Sequence, residues 1–138
     1  MKKLFSCDGV AAIEAALVLP ILFALTFGLI EFGLAIYNKQ VITNAAREGA
    51  RRGIVQEVPR VTKAVIEDVV HQYADAHLIT FDSAKPPPQV DVPAECPGFG
   101  ADLSVAVTYP YTFLVVKNFV PGLGPLLTLK TVSVMKCE

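Results

Sequence analysis

Glu14 is the residue whose type and place most need a chemical reason. It lies in SCDGVAAIEAALVLP, Ser6 to Pro20, inside an apolar run otherwise suited to a lipid bilayer. A charge at a helix centre in a membrane costs on the order of 3 kcal/mol, so such a residue is a functional candidate by default. Other reactive groups form no recognisable set. His71 and His77 fall on different faces of a predicted helix, with no zinc-ligand spacing around them. There is no glycine-rich loop between a strand and a helix, no Cys-x-x-Cys pair, and no serine or cysteine matched to a histidine base. PGLGP reads as a turn. The sequence points to no enzyme activity, metal or cofactor.

What must surround Glu14 is a helix. Between Val10 and Ile36 the only ionisable residues are Glu14 and Glu31. At 1.5 Å per residue this stretch makes a helix about 40 Å long, ample for a hydrocarbon layer of about 30 Å. Pro20 frees the Ala16 carbonyl, and a kink or local melt is expected between them. Composition agrees with a membrane protein, since 53% of the 138 residues are hydrophobic and 18% charged. The net charge of −1 gives no general basic field for nucleic acid, and Arg47, Arg51 and Arg52 sit beside Glu48.

Lys2 and Lys3 could open a secretory signal peptide, but the apolar run is too long, and GLIEFGLAIYNKQ offers no small-x-small cleavage site. A cut at Gly9 instead leaves the helix on the mature chain. It also removes Cys7, turning an odd count of three cysteines into two.

A short basic leader ending in glycine, with glutamate as the fifth residue of the apolar helix that follows, resembles the type IV prepilins. GVAAIEAALVLPILFALTFGLIEFG followed by NAAREGARRG is similar to the TadE-like minor pilins of the tight-adherence (Tad, Flp) pilus system. The closing LTLKTVSVMKCE is similar to that family's last strand. The resemblance implies cleavage between Gly9 and Val10 by a prepilin peptidase. It also implies pairing of Glu14 with the N-terminal amine of a neighbouring subunit. At an effective dielectric near 20 and 4 Å separation that attraction is about 4 kcal/mol before desolvation, enough to select a register. The competing account of Glu14 is a carboxylate favoured by the helix dipole. Glu31, beside Phe32 and Tyr37, reads as a residue at the far membrane boundary.

Counting flanking Lys and Arg residues would leave the C-terminus cytoplasmic. A folded domain translocates largely regardless of charge, and paired cysteines favour an oxidising compartment, so the head is expected outside. Beyond the span, Ala45, Gly49 and Gly53 repeat at four-residue spacing. Such a stripe permits close helix packing, either within the chain or between subunits. A second helix is expected from Pro59 to Leu78, with Val61, Val65, Val69 and Tyr73 as its apolar stripe.

SAKPPPQVDVPAECPGFG reads as an extended break. Leu103, Val105 and Val107 then alternate with Asp102, Ser104, Ala106 and Thr108, predicting a strand with one buried face, and Leu127, Leu129, Thr131, Ser133 and Met135 alternate less cleanly with Thr128, Lys130, Val132, Val134 and Lys136, predicting a second strand. The apolar connection through residues 113–120 could be a third strand, a core plug or an exposed patch. Cys96 and Cys137 flank this region; bridged, they would close a loop of about forty residues and stabilise the head by about 4 kcal/mol. Unbridged, they would be two buried thiols.

The expected architecture is α+β. It comprises a leader at 1–9, a transmembrane helix at 10–36, a helical stalk and second helix at 37–80, a Pro-rich linker at 81–100, and a small antiparallel β head at 101–138. The family implies a membrane-anchored structural subunit of an adhesion pilus at the inner membrane. Its partners would be the prepilin peptidase, other pilins, the inner-membrane assembly platform and the lipid bilayer, with no nucleic acid. The alternatives are a single-span receptor or sensor with a ligand-binding head, or a pseudopilin of a type II secretion machine.

Overall fold

The computed structural model describes residues 8–80, 86–115 and 126–138. Residues 1–7 of the expected leader at 1–9, the prolines' approach at 81–85 and the connection at 116–125 lie outside the described residues. The chain is α+β: a long helix α1, Asp8–Ile54, a second helix α2, Lys63–His77, and three strands, β1 Gln89–Asp91, β2 Asp102–Thr112 and β3 Leu126–Lys136. The sheet is antiparallel in the order β1-β2-β3.

Helix α1 has two halves of different character. Up to Ile30 its large apolar side chains are mostly exposed, among them Val10, Leu17, Leu25 and Leu29. From Glu31 onward a stripe at helical spacing is buried: Glu31, Ala35, Asn38, Ile42, Ala45, Ala46 and Ala50. Against it pack α2 and the inner face of the sheet. The expected span to Ile36 is therefore shared with the head over its last turn and a half, and the unpartnered apolar length is residues 10–30. The expected melt at Pro20 is absent, since α1 is helical throughout.

Helix α2 begins four residues later than expected. Thr62 takes the extended N-cap conformation, and the Glu95 carboxylate accepts the Lys63 N–H at 2.7 Å. Its buried stripe is also displaced, to Ile66, Val70 and Ala74, whereas Val65 is exposed. Both stripes have helical spacing; what selects between them is the opposing surface, where Gly49 and Gly53 leave hollows that Ile66 and Val70 fill.

The sheet corrects the head's expected boundaries at both ends. β1 lies inside the predicted linker and pairs Val90 with Val107. β2 runs past Thr108 through YPYT, so its buried face is Leu103, Val105, Val107, Tyr109 and Tyr111. Pro110 is tolerated because β1 ends before reaching it. Phe113 is buried against Phe32 and Tyr111, in the manner of a core plug. The rest of the expected apolar connection, from 116 to 120, lies outside the described residues.

Candidate functional site: two glutamates on one helix

The predicted cleavage pair, Gly9 and Val10, lies in the first turn of α1. Val10 is exposed, and a Cβ built at Gly9 would meet nothing within 4 Å. One turn further on, Glu14 is exposed on the unpartnered half, and among the described residues no hydrogen bond or ion pair reaches it. Among the described residues its carboxylate thus has neither a cation nor a burial site.

Glu31 does more than the expected boundary residue, and its part in the head is what sequence reading missed. It is only 5% exposed. Its carboxylate accepts the N–H groups of Leu114 and of Val115, the latter at 2.8 Å. The Tyr111 hydroxyl donates to its main-chain carbonyl at 3.3 Å. Burial, and secondarily the Glu31 charge, pushes the Tyr111 phenol above its ordinary range. Two helical turns along the same face, buried Asn38 does similar work for α2. Its amide donates to the Ile79 carbonyl at 2.7 Å, while its side-chain oxygen accepts the Ile79 N–H at 3.0 Å. The two residues pin the chain where it leaves β2 and where it leaves α2. Leaving such groups unpaired would cost about 1–3 kcal/mol each.

Ala45, Gly49 and Gly53 face the chain's own head. A Cβ at Gly49 would stand 2.5 Å from Val70 Cγ2, and one at Gly53 would stand 2.5 Å from Leu103 Cδ2 and 2.6 Å from Ile66 Cδ1. Their small size serves close intrachain packing, so this stripe is not free for a second subunit.

At the far end of the head, Cys96 and Cys137 form a disulfide with Cα atoms 5.9 Å apart. The Cys137 N–H donates to the Ala101 carbonyl at 2.8 Å, and Gly100, with φ +78°, donates its own N–H to the Cys137 carbonyl at 2.9 Å. The tail closes on α1, where the Glu138 N–H reaches the Ile54 carbonyl at 3.1 Å. Nearby, Arg51 and Arg52 hold the Glu48 and Glu57 carboxyls below their ordinary range, chiefly by side-chain hydrogen bonds. His77 stacks on Tyr73 and donates or accepts only locally, with Nδ1 2.8 Å from the Tyr73 carbonyl.

Chemically, this arrangement can anchor and join. It offers an exposed apolar helix long enough to cross a membrane, one carboxylate on that helix awaiting a partner, and a head fastened to the other half. No curated protein and no solved structure matches the chain. The family model described as TadE-like protein matches residues 9–51, so the segment carrying Gly9, Glu14, Glu31, Asn38 and Gly49 is similar to that family.

Proposed function

We propose that this chain is a minor pilin of a Tad-type adhesion pilus, cut between Gly9 and Val10 by a prepilin peptidase. The observation that carries the reading is Glu14: an exposed carboxylate, five residues beyond Gly9, on a helix half that stands uncovered among the described residues. Cleavage creates an α-ammonium on Val10 one turn away. Geometry along a single helix keeps a residue's own terminus from serving as well as a neighbour's, because staggered subunits can bring carboxylate and amine to the same depth. At about 4 Å in a medium of effective dielectric near 20, the pair gains about 4 kcal/mol before desolvation. Its main effect is to set the stagger between subunits rather than to add net stability.

The rest of residues 10–30 supplies the contact surface, covered by lipid before assembly and by other pilins after it. The inner-membrane assembly platform would receive the chain from the bilayer. The disulfide supports an extracytoplasmic head, because such bonds persist in oxidising compartments. Pilus association rather than ligand sensing is favoured by the TadE-like match over the helix itself.

The test is recovery of the chain in sheared pili against the membrane fraction, for wild type, Glu14→Gln and Glu14→Asp. Wild type and the aspartate variant are expected in both fractions, with the glutamine variant confined to membranes. Equal incorporation of the glutamine variant would refute the pairing; wild type found only in membranes would favour the receptor reading.

A further inference from the structure

The base of the head carries an apolar surface that packing among the described residues leaves open. Leu114 and Val115 follow the end of β2, and both donate their N–H groups to Glu31, which holds them level with that residue. Together with Phe27, Ile30, Glu31 and Leu34 they line an apolar cleft of about 220 Å³. Leu114 is 37% exposed, and Phe27 and Ile30 about half exposed. The cleft is therefore continuous with the uncovered half of α1.

Helix geometry fixes its depth. Residues 10–30 measure roughly 30 Å at about 1.5 Å per residue, the thickness of the hydrocarbon layer, so the level of Glu31 is the outer edge of that layer. Sliding the helix to bring Glu14 nearer the inner surface sinks Glu31 deeper still. In either placement Leu114 and Val115 meet acyl chains. Irregular backbone at this depth needs protein acceptors because water is scarce, and the Glu31 carboxylate supplies them for two successive N–H groups.

We propose that Leu114 and Val115 dip into the acyl boundary of the bilayer and seat the head on the membrane surface, with Glu31 as the positioning residue that holds them there. This rests on the reading that α1 spans the membrane. A seated head cannot pivot freely about its stalk, so the subunit would be presented to its partners at one height and with one face toward the membrane.

The natural chain has no tryptophan, so single tryptophans can report depth. The experiment places the full chain in phosphatidylcholine vesicles whose acyl chains carry bromine at a shallow position, using Leu114→Trp, Val115→Trp, Leu25→Trp within the span, and Val132→Trp on the exposed outer face of β3. Leu114→Trp and Val115→Trp are expected to lose at least half as much fluorescence as Leu25→Trp, with Val132→Trp unquenched. Two base variants as unquenched as Val132→Trp, beside a quenched Leu25→Trp, would overturn the seating while leaving the span intact. An unquenched Leu25→Trp would overturn both. Using two base positions guards against one of them disturbing the β2 end.

Discussion

Glu14 and Glu31 are the same residue on the same apolar helix, yet they have opposite surroundings. Glu31 is buried, and its carboxylate accepts the main-chain N–H groups of Leu114 and Val115. Glu14 is exposed, with no such contact among the described residues. The difference teaches where each half of α1 finds its cover. Above Glu31 the helix is completed by its own chain, through α2, β2 and β3; below it, no described residue of the head covers most of the helix's apolar length. An acidic residue in an apolar run is thus a fold determinant in one place and, on the proposed reading, an assembly determinant in the other.

If that division is right, damage to the upper half should unfold the head, and damage to the lower half should spare it. The largest effect is expected from Cys137→Ser. Opening a loop with a sequence separation of 41 costs about 4 kcal/mol in the chain-entropy account. Thermal unfolding in detergent should show the head melting earlier while the helicity of the span persists. Next comes Gly49→Leu, which drives a side chain into Val70 and the Ile66 backbone and should cost about 3 kcal/mol. Gly33→Leu, where a Cβ meets nothing, should stay near wild type in the same melt.

Glu31→Leu should destabilise the head by about 2 kcal/mol by stranding the Leu114 and Val115 N–H groups, as read by denaturant unfolding. Glu14→Leu should leave that curve unchanged and abolish assembly instead. The smallest effect is the pH response of the exposed pairs beyond the end of the buried stripe. Glu48 and Glu57 have folded pKa values depressed by Arg51 and Arg52. Their contribution is present above the unfolded carboxylate range and is lost as pH falls through the folded values. The melting temperature should therefore dip slightly below about pH 4.3, and the Glu48→Gln, Glu57→Gln double variant should flatten that dip.

Much of this was legible in the residues themselves. Alternation marked the inner face of β2, and less cleanly that of β3, and a long apolar run marked α1, because both signals are local. The role of Glu31 was not legible. Its partners are main-chain N–H groups, which every residue but proline possesses, so no residue type marks them. β1 was hidden because three residues among prolines have no period to read, and only pairing with β2 makes them a strand. The face of α2 was ambiguous for a third reason: two apolar stripes lie side by side, and the hollows at Gly49 and Gly53 decide between them.

The central claim is that Glu14 awaits an amine created by cleavage, and intact mass tests it most directly. The chain would be isolated, as wild type and as Gly9→Ala, from cells with and without their prepilin peptidase. The account predicts loss of Met1 to Gly9 from wild type only when the peptidase is present, and a full-length variant in both backgrounds. A wild-type chain that keeps its first nine residues in every sample would contradict it, because Val10 would then have no free amine to offer.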